Sequence, residues 1–208
     1  MSYNGESRKQ KAAATKQKIY DSAEQLLALK DFSEISIDSI VKMAGVSKGS
    51  FYVHFTSKDA LMASLISDHV LKLDMDYRSF LDSFPDNVSA ETVILLLIDK
   101  IADLMIEKIG IDNIKAVYKA QISKDFDTGS VTNYSRGIYK RFSDLLERGI
   151  KRGEFETDLP LDMLTRHYMM AIRGITYEWC IRYPEFDYKT EALSHFNIML
   201  AGLRKPPA

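Results

Sequence analysis

Apolar residues recur along most of the chain with the three- and four-residue spacing of amphipathic helices. The first such segment places Ile19, Ala23 and Leu26 on one face, which predicts a helix over residues 15–30. Neither glycine nor proline occurs from residue 50 to residue 84, so this stretch can form a long helix. The same spacing, interrupted by glycine and proline, predicts further helices over residues 88–109, 112–123, 131–152, 161–182 and 188–203.

Short polar residues and one glycine divide the segment that precedes the long helix. Ser36 is a suitable N-cap for a helix over residues 37–44, and Gly45 is suited to end it. Ser47 can then cap a short helix of about eight residues, and Ser57 can cap the long helix that follows. The sequence therefore predicts two short helices in close succession before the long one.

The run Phe-Tyr-Val-His-Phe at residues 51–55 is aromatic and β-branched, and taken alone it is typical of a strand. Helix-capping serines precede and follow it, however, and the sequence offers no partner strand. We therefore expect tertiary packing to override the local propensity and make this run helical. With this segment assigned, the chain is predicted to be all-α and to fold in two parts.

Length and composition narrow the class of protein. The 208 residues suit one large domain, or a small domain joined to a medium one. The longest apolar run, residues 93–98, is far shorter than the roughly 20 residues that span a bilayer, and no hydrophobic segment follows the basic start. The single cysteine excludes an internal disulfide and a cysteine-rich zinc site. These features predict a cytoplasmic protein without a membrane segment.

The formal net charge of −1 hides an asymmetry along the chain. Residues 1–58 carry nine basic and six acidic side chains, a net charge of +3, whereas the remainder has a net charge of −4. A basic end on an acidic body indicates that a polyanion is met at one end only. The first basic residues, Arg8, Lys9 and Lys11, are either solvated or add a salt-sensitive attraction to phosphate.

Sequence motifs of enzyme chemistry are missing. The sequence has no glycine-rich phosphate loop and no serine nucleophile elbow, and its four histidines lack metal-ligand spacing. No catalytic residue, metal or other cofactor is therefore predicted. A DNA-binding protein and a helical protein-interaction module are the two classes that remain.

The segment 36–55 predicts two short helices joined by the tight turn Ala-Gly-Val-Ser, a helix-turn-helix arrangement whose second helix can enter a major groove. The sequence AGVSKGSFYVHF at residues 44–55, with Ser36 before it and Ser-Lys-Asp-x-Leu from Ser57 after it, resembles the N-terminal signature of TetR-type transcriptional regulators. This resemblance implies a three-helix DNA-binding domain over residues 13–73. A long helix would join it to a ligand-sensing and dimerisation domain over residues 74–208.

The second short helix carries most of the expected DNA contacts. Lys48 and Ser50 lie in its first turn, where side chains can reach bases and phosphates. Gly49 costs about 1 kcal/mol of helix stability relative to alanine, which has a use if the backbone approaches DNA closely. Phe51 and Phe55 are expected in the core. The resemblance completes the set of expected DNA-contacting residues, in which Ser47 is either a cap alone or also a contact: Thr15, Lys16, Ser36, Ser47, Lys48, Gly49, Ser50, Tyr52, His54 and Lys58.

The last two predicted helices are expected to form the dimer. In the resembled family they pair with their two-fold mates as a four-helix bundle, and small residues there would allow close approach. An ordinary core stripe within one chain is the alternative. The expected dimer residues are Ala171, Gly174, Leu193, Phe196, Leu200 and Leu203.

Aromatic and methionine side chains are the only indication of a ligand. They can line an apolar pocket with a few hydroxyls for orientation, although such stripes are more often core. The candidate ligand-binding residues are Met105, Tyr118, Tyr134, Tyr139, Phe142, Met170, Tyr177 and Trp179.

The sequence thus predicts a homodimeric transcriptional repressor that binds a palindromic double-stranded operator and is released by a small apolar effector. The alternatives are a TetR-like activator, a ligand-independent DNA-binding protein, and an interaction module that does not bind DNA.

Overall fold

The computed structural model describes residues 3–27, 29–30, 34–124 and 129–204, and helices account for most of them. These ranges contain no strand, only an isolated bridge between Phe155 and Arg204, so the predicted all-α class is confirmed. No helix of this described part is long and apolar enough to cross a bilayer. The helices are α1 (Tyr3–Leu27), α2 (Ile37–Ala44), α3 (Lys48–His54), α4 (Lys58–Leu81), α5 (Ala90–Asp103), a π-helix (Leu104–Ile109), α6 (Ile111–Ser123), α7 (Gly129–Thr132), α8 (Gly137–Lys151), α9 (Leu161–Arg182) and α10 (Tyr188–Ala201).

The chain divides into two compact units. Unit one comprises Met1–His69 together with Lys119–Ser130, and unit two comprises Val70–Tyr118 together with Val131–Ala208. The sequence predicted a division after residue 73, without the grouping of residues 119–130 with the N-terminal part.

Unit one has a small core made by α1, α2, α3 and the start of α4. Ile19, Ile40, Phe51 and Leu61 have no exposed surface, and each comes from a different one of these helices. Burying an apolar side chain of this size contributes about 1.5–3 kcal/mol before the entropy of ordering the chain is counted. The packing of these four helices holds α2 and α3 against each other.

Unit two has a larger core centred on three aromatic rings. Phe142 of α8, Tyr168 of α9 and Phe196 of α10 are buried, with ring centroids between 5.6 and 6.5 Å apart. A smaller cluster in the same unit contains Ala102, Ile114, Trp179, Cys180 and Tyr188. The predicted amphipathic helices therefore bury their apolar faces against one another, as expected.

The helix predicted over residues 131–152 is wrong in its first part. The structure has the short α7 and then a separate α8, with a turn at residues 133–136 between them. In this turn the side-chain oxygen of Asn133 accepts the backbone N–H of Ser135 at 2.9 Å. Such a local bond competes with the helical hydrogen-bond pattern.

A carboxylate from α4 caps the start of α8. Asp74 accepts a hydrogen bond from Arg136 Nη2 at 2.8 Å and one from the backbone N–H of Gly137 at 3.2 Å. The side chains of Asp74 and Arg136 are only 11% and 16% exposed. Since the N-cap residue of α8 makes no side-chain cap of its own, the cap is supplied by a residue 63 positions earlier in the chain.

Two other predicted helices also have different bounds. The first helix, expected from residue 15, already begins at Tyr3. The helix expected over residues 88–109 begins at Ala90, is α-helical to Asp103 and then continues as a π-helix, where the N–H of Gly110 bonds to the carbonyl of Met105 at 3.0 Å. Such π-helical turns are rare and frequently accompany functional sites.

Candidate nucleic-acid interface

The turn between α2 and α3 is fixed by capping on both sides, as the sequence predicted. Ser36 and Ser39 form a reciprocal capping box at the start of α2, with both N–H to Oγ distances at 3.1 Å. Gly45 ends α2 with a φ of 64°, a left-handed conformation that favours glycine. Ser47 then caps α3 by accepting the N–H of Ser50 at 3.1 Å. These local bonds set the angle at which α3 leaves the turn.

The short helix α3 has one buried and one exposed side. Phe51 has no exposed surface, and its ring lies 5.7 Å from that of the buried Phe55, so the expected core role of both is confirmed. Tyr52 and Val53 are 50% and 78% exposed, whereas His54 is half-buried. The helix therefore presents a surface with a phenol and an apolar group beside its basic first turn.

Gly49 lies in that first turn, and no contact within the described part of the chain requires glycine at this position. A Cβ built on it would meet only the hydroxyl of Ser47 at 3.8 Å, which is ordinary contact. The fold therefore has room for a side chain at this position. This observation fits the prediction that the backbone is left bare for a close approach from outside the chain.

Lys58 at the start of α4 is tied to the segment before α2. Its Nζ donates a hydrogen bond to the backbone carbonyl of Ile35 at 2.9 Å, in a partly buried position. Ile35 directly precedes the N-cap Ser36. Besides its expected phosphate contact, Lys58 thus helps to hold the start of α2 in place.

The two candidates on α1 lie on one turn of that helix. The ammonium of Lys16 lies 5.5 Å from the ring centroid of Tyr20 and 5.7 Å from that of Phe55, distances typical of a cation–π contact. The hydroxyl of Thr15 donates to the carbonyl of Lys11 at 2.9 Å. Lys16 is therefore close to the C-terminal end of α3.

The basic first turn of α3 is paired with an acid that the sequence reasoning missed as a site residue. Lys48 Nζ lies 2.9 Å from Asp38 Oδ1, and this hydrogen-bonded ion pair raises the pKa of the lysine. The hydroxyl of Ser50 lies 2.8 Å from that of Ser47. An acid in the first turn of α2, ten residues before the lysine, was the available signal in the sequence.

Three of the expected dimer residues belong to the core of their own chain. Phe196 and Leu200 have no exposed surface, and Leu203 is 8% exposed. A side chain without exposed surface cannot contact a second subunit, so Phe196 and Leu200 are reassigned to the core of their own chain. Both lie on the side of α10 that packs into unit two, and Leu203 follows that helix.

The other expected dimer residues are more accessible. Ala171 and Gly174 line a groove of about 460 Å³ that is bordered by α9, by Phe186 and by α10, where His195 contributes to the wall. Leu193 is partly buried against the core.

The sequence reasoning did not recognise a continuous exposed stripe along α9. It includes Met163, Met170, Tyr177 and Ile181, which are 43–59% exposed. With the exposed His167 and Gly174 between them, their spacing alternates between four and three residues. We call these six residues the α9 stripe, and this spacing was visible in the sequence.

The candidate ligand residues fall into separate places in unit two. Met105, Tyr118 and Trp179 belong to the smaller cluster or pack against it, and Tyr177 joins them with its ring 5.6 Å from that of Tyr118. The hydroxyl of Tyr118 donates to the carbonyl of Arg173 at 2.8 Å.

The remaining candidates do not join this group. Tyr134 and Tyr139 pack edge to face with centroids 5.4 Å apart, and the guanidinium of Arg166 lies over the ring of Tyr134. Met170 is 51% exposed on the α9 stripe, and Phe142 has no exposed surface in the main core. The described residues therefore do not form one pocket that all eight candidates line. They also contain no group of three or more His, Cys, Asp or Glu side chains that could hold a metal ion.

A short helix with a basic, exposed first turn, set by a glycine turn on a helical support, defines a helix-turn-helix DNA-binding protein. Residues 19–65 match the family of bacterial regulatory proteins described as the tetR family. The HTH-type transcriptional regulator AcrR of Shigella flexneri is 27% identical over 203 residues, which cover 92% of this chain and 90% of AcrR. The regulator EthR of Mycolicibacterium smegmatis is 39% identical over 67 residues, which cover 32% of this chain and 31% of EthR.

The fold is also similar to that of solved transcriptional regulators. The crystal structure of Bacillus subtilis FadR, a transcriptional regulator in complex with stearoyl-CoA, superposes with a TM-score of 0.71 at 18% identity, covering 90% of this chain and 99% of FadR. The family match, the named relatives and the fold together support a TetR-type transcriptional regulator. Regulation of transcription, and not enzymatic catalysis, is the activity for which these relatives are named.

Proposed function

We propose that this protein is a homodimeric repressor that binds a palindromic operator through α3 and releases it when a small, largely apolar effector binds unit two. The observation that carries the proposal is the exposed surface of α3. Its first turn is basic, it presents Tyr52 and Val53 outward, and its packing does not require Gly49 to be glycine. A scaffold helix would not need this combination.

Base reading is assigned to the first turn of α3, with Lys48, Gly49 and Ser50 approaching base edges. Phosphate contacts are assigned to the residues around it, because hydroxyls and cations placed on several helix starts can bracket a DNA backbone. The proposed phosphate-contacting residues are Thr15, Lys16, Ser36, Ser47, Tyr52, His54 and Lys58.

Support for a dimer comes from the α9 stripe. A mean spacing of 3.5 residues between exposed positions is typical of the contact face of a helix that packs against another helix at a shallow angle. On α10, Ile198 is 70% exposed and offers a second apolar contact. A two-fold pairing of α9 and α10 would bury both, with Ala171, Gly174 and Leu193 at its margin.

The effector site is assigned to the smaller cluster of unit two, around Met105, Tyr118 and Trp179. Three observations support this place: an apolar aromatic lining, a hydroxyl at Tyr118, and the π-helix that contains Met105. The FadR structure contains stearoyl-CoA, so this compound is a suitable first probe. Tyr177 would border the site, whereas Tyr134 and Tyr139 form a separate surface pair.

Release of the operator follows from linkage. An effector shifts the equilibrium only if it binds the DNA-incompetent arrangement more tightly. Helix α4 contains residues of both units, and its movement would change the separation of two recognition helices without unfolding either. The coupling expected for such linkage is about 1–3 kcal/mol.

DNA binding is tested by selection from a randomised 30-base-pair library with the full-length protein. The enriched duplex should contain a palindrome whose half-sites lie about 34–36 Å apart or a multiple of this. Tyr52→Phe should weaken binding of the enriched duplex and of a shuffled duplex by the same factor, since a phosphate contact carries no sequence information. A loss confined to one duplex would contradict the assigned contact.

The switch is tested by calorimetry of stearoyl-CoA and of shorter acyl compounds, with and without the enriched duplex. Reciprocity requires the duplex to weaken effector binding by the factor with which the effector weakens duplex binding. Equal effector affinity in both titrations would mean that the binding site is not a regulatory sensor.

A further inference from the structure

Asp38 in the first turn of α2 holds the ammonium of Lys48 at the start of α3. The Nζ–Oδ1 distance is 2.9 Å, and the side chains of Lys48 and Asp38 are 53% and 73% exposed. The pair therefore lies at the surface, next to the residues assigned to base reading. A carboxylate in this position needs an explanation, because duplex DNA presents closely spaced negative charges to any protein that docks on it.

This pair has little to contribute to folding. Exposed ion pairs add little stability, since water and salt screen them and two long side chains must be ordered. Lys48 can therefore leave Asp38 at small cost when a better acceptor is offered. Phosphates occur alike on every duplex, whereas guanine presents two acceptors in the major groove and cytosine presents an amino donor.

We propose that Asp38 is a specificity-determining residue of the DNA interface, which withholds Lys48 from the phosphates of unrelated DNA and releases it to a base of the operator. The base pair that fits both side chains is G·C. Guanine O6 and N7 accept from the ammonium of Lys48, and the cytosine amino group donates to the freed carboxylate of Asp38. This inference rests on the proposed DNA-binding function.

The size of the effect follows from counterion release. While the pair is intact, Lys48 brings no net charge to a phosphate. In Asp38→Asn the lysine is available, and each added phosphate contact changes the slope of log K against log salt by about −0.9. With equal affinities at about 1 M salt, where the electrostatic contribution vanishes, this slope gives a gain of roughly eightfold per subunit in affinity for any duplex at 0.1 M monovalent salt. Affinity for the operator should rise less, because there Lys48 already has its acceptor and the cytosine amino group loses the carboxylate of Asp38.

The test measures fluorescence anisotropy of the full-length protein with the enriched duplex and with its shuffled control, from 0.05 to 0.3 M KCl. The variants are Asp38→Asn, Lys48→Met and the double variant. Asp21→Asn is the matched control, because it removes one exposed acid from unit one whose side chain bonds to Gln17 instead of a candidate DNA contact. Circular dichroism verifies that each variant is folded.

The proposal predicts that Asp38→Asn binds the shuffled duplex about eightfold more tightly per subunit at 0.1 M salt, with a steeper salt slope and a lower ratio of enriched to shuffled affinity. Adding Lys48→Met to it should remove the gain, and Lys48→Met alone should weaken mainly the enriched duplex. The proposal is overturned if Asp38→Asn leaves the ratio unchanged, if Asp21→Asn gives an equal gain, or if the double variant keeps it. If wild-type protein enriches no duplex, the proposed function fails and this inference fails with it.

Discussion

Asp74 is the residue at which a single substitution should test the packing of unit two most directly. Its carboxylate accepts from the guanidinium of Arg136 at 2.8 Å and from the backbone N–H of Gly137 at 3.2 Å. Arg136 Nε also lies 3.5 Å from Asp74 Oδ2, and Asp74→Ala removes all three bonds at once. It leaves a guanidinium that is 16% exposed without its carboxylate, and it leaves the start of α8 without its side-chain cap.

The expected loss is the sum of these two effects, reduced by partial solvation. Removing one partner of a buried ion pair costs about 3–5 kcal/mol, and losing an N-cap costs about 0.5–2 kcal/mol. Both side chains keep some exposure, so the remaining charge is partly screened by water. We therefore expect Asp74→Ala to lower the free energy of unfolding by about 3 kcal/mol. Asp74→Asn should lower it less, because its amide oxygen can still accept from Gly137.

Trp179 provides the measurement, because it is the single tryptophan of the chain and is buried in unit two. Urea unfolding followed by its fluorescence at one fixed protein concentration gives the change in stability of that unit. Asp82→Ala is the control, since Asp82 pairs with Arg78 at 3.6 Å and both side chains are more than 60% exposed. The control should change stability by less than about 0.5 kcal/mol.

The role of this pair is refuted if Asp74→Ala costs under about 1 kcal/mol, or if Asp82→Ala costs as much. A double-mutant cycle with Arg136→Met separates the two effects. Its coupling energy should be favourable, because replacing both partners removes the unpaired charge along with the bond.

Four further substitutions test other positions of unit two. Gly149→Ala should cost about 1–3 kcal/mol, since a Cβ there would collide with the ring of Phe155; an unchanged urea midpoint would argue against this close approach. Ile198→Glu should give folded monomers in light scattering, because the side chain of Ile198 is 70% exposed. Leu200→Glu should instead lose the circular dichroism signal of helix, because Leu200 is fully buried. The same outcome for both variants would contradict the assignment of the two sides of α10. Tyr168→Phe should raise stability at neutral pH by about 1 kcal/mol, because the buried hydroxyl has no hydrogen-bond partner among the described residues. Burial also raises the pKa of Tyr168 above its ordinary 10.0, so the unfolded chain ionises first and wild-type stability falls as pH rises above about 10; an equally steep fall in the phenylalanine variant would contradict this reasoning.

The helix-turn-helix was predictable because its determinants are local. Ser36, Gly45 and Ser47 act on residues within five positions of themselves, so their capping roles can be inferred from spacing alone. The cap at the start of α8 was not predictable in this way. Asp74, which supplies it, lies 62 positions before Arg136, and no periodicity in the intervening sequence indicates that contact.

The burial of Phe196 and Leu200 within their own chain was not predictable for a related reason. Helix α10 carries apolar residues on its buried side, such as Phe196 and Leu200, and also on its exposed side at Ile198. Periodicity identifies an apolar face but cannot rank two of them. Which face packs within the chain is decided by tertiary contacts, here with the rings of Phe142 and Tyr168.

The α9 stripe has a consequence for gene dosage. If its pairing is the dimer contact, the paired fraction is set by mass action, and a cell that makes half as much protein has less than half as many dimers near the dissociation constant. Two α3 helices would then be delivered to an operator together or not at all. Operator occupancy would vary more steeply than the amount of protein, so the expression level itself would act as a second input beside the effector.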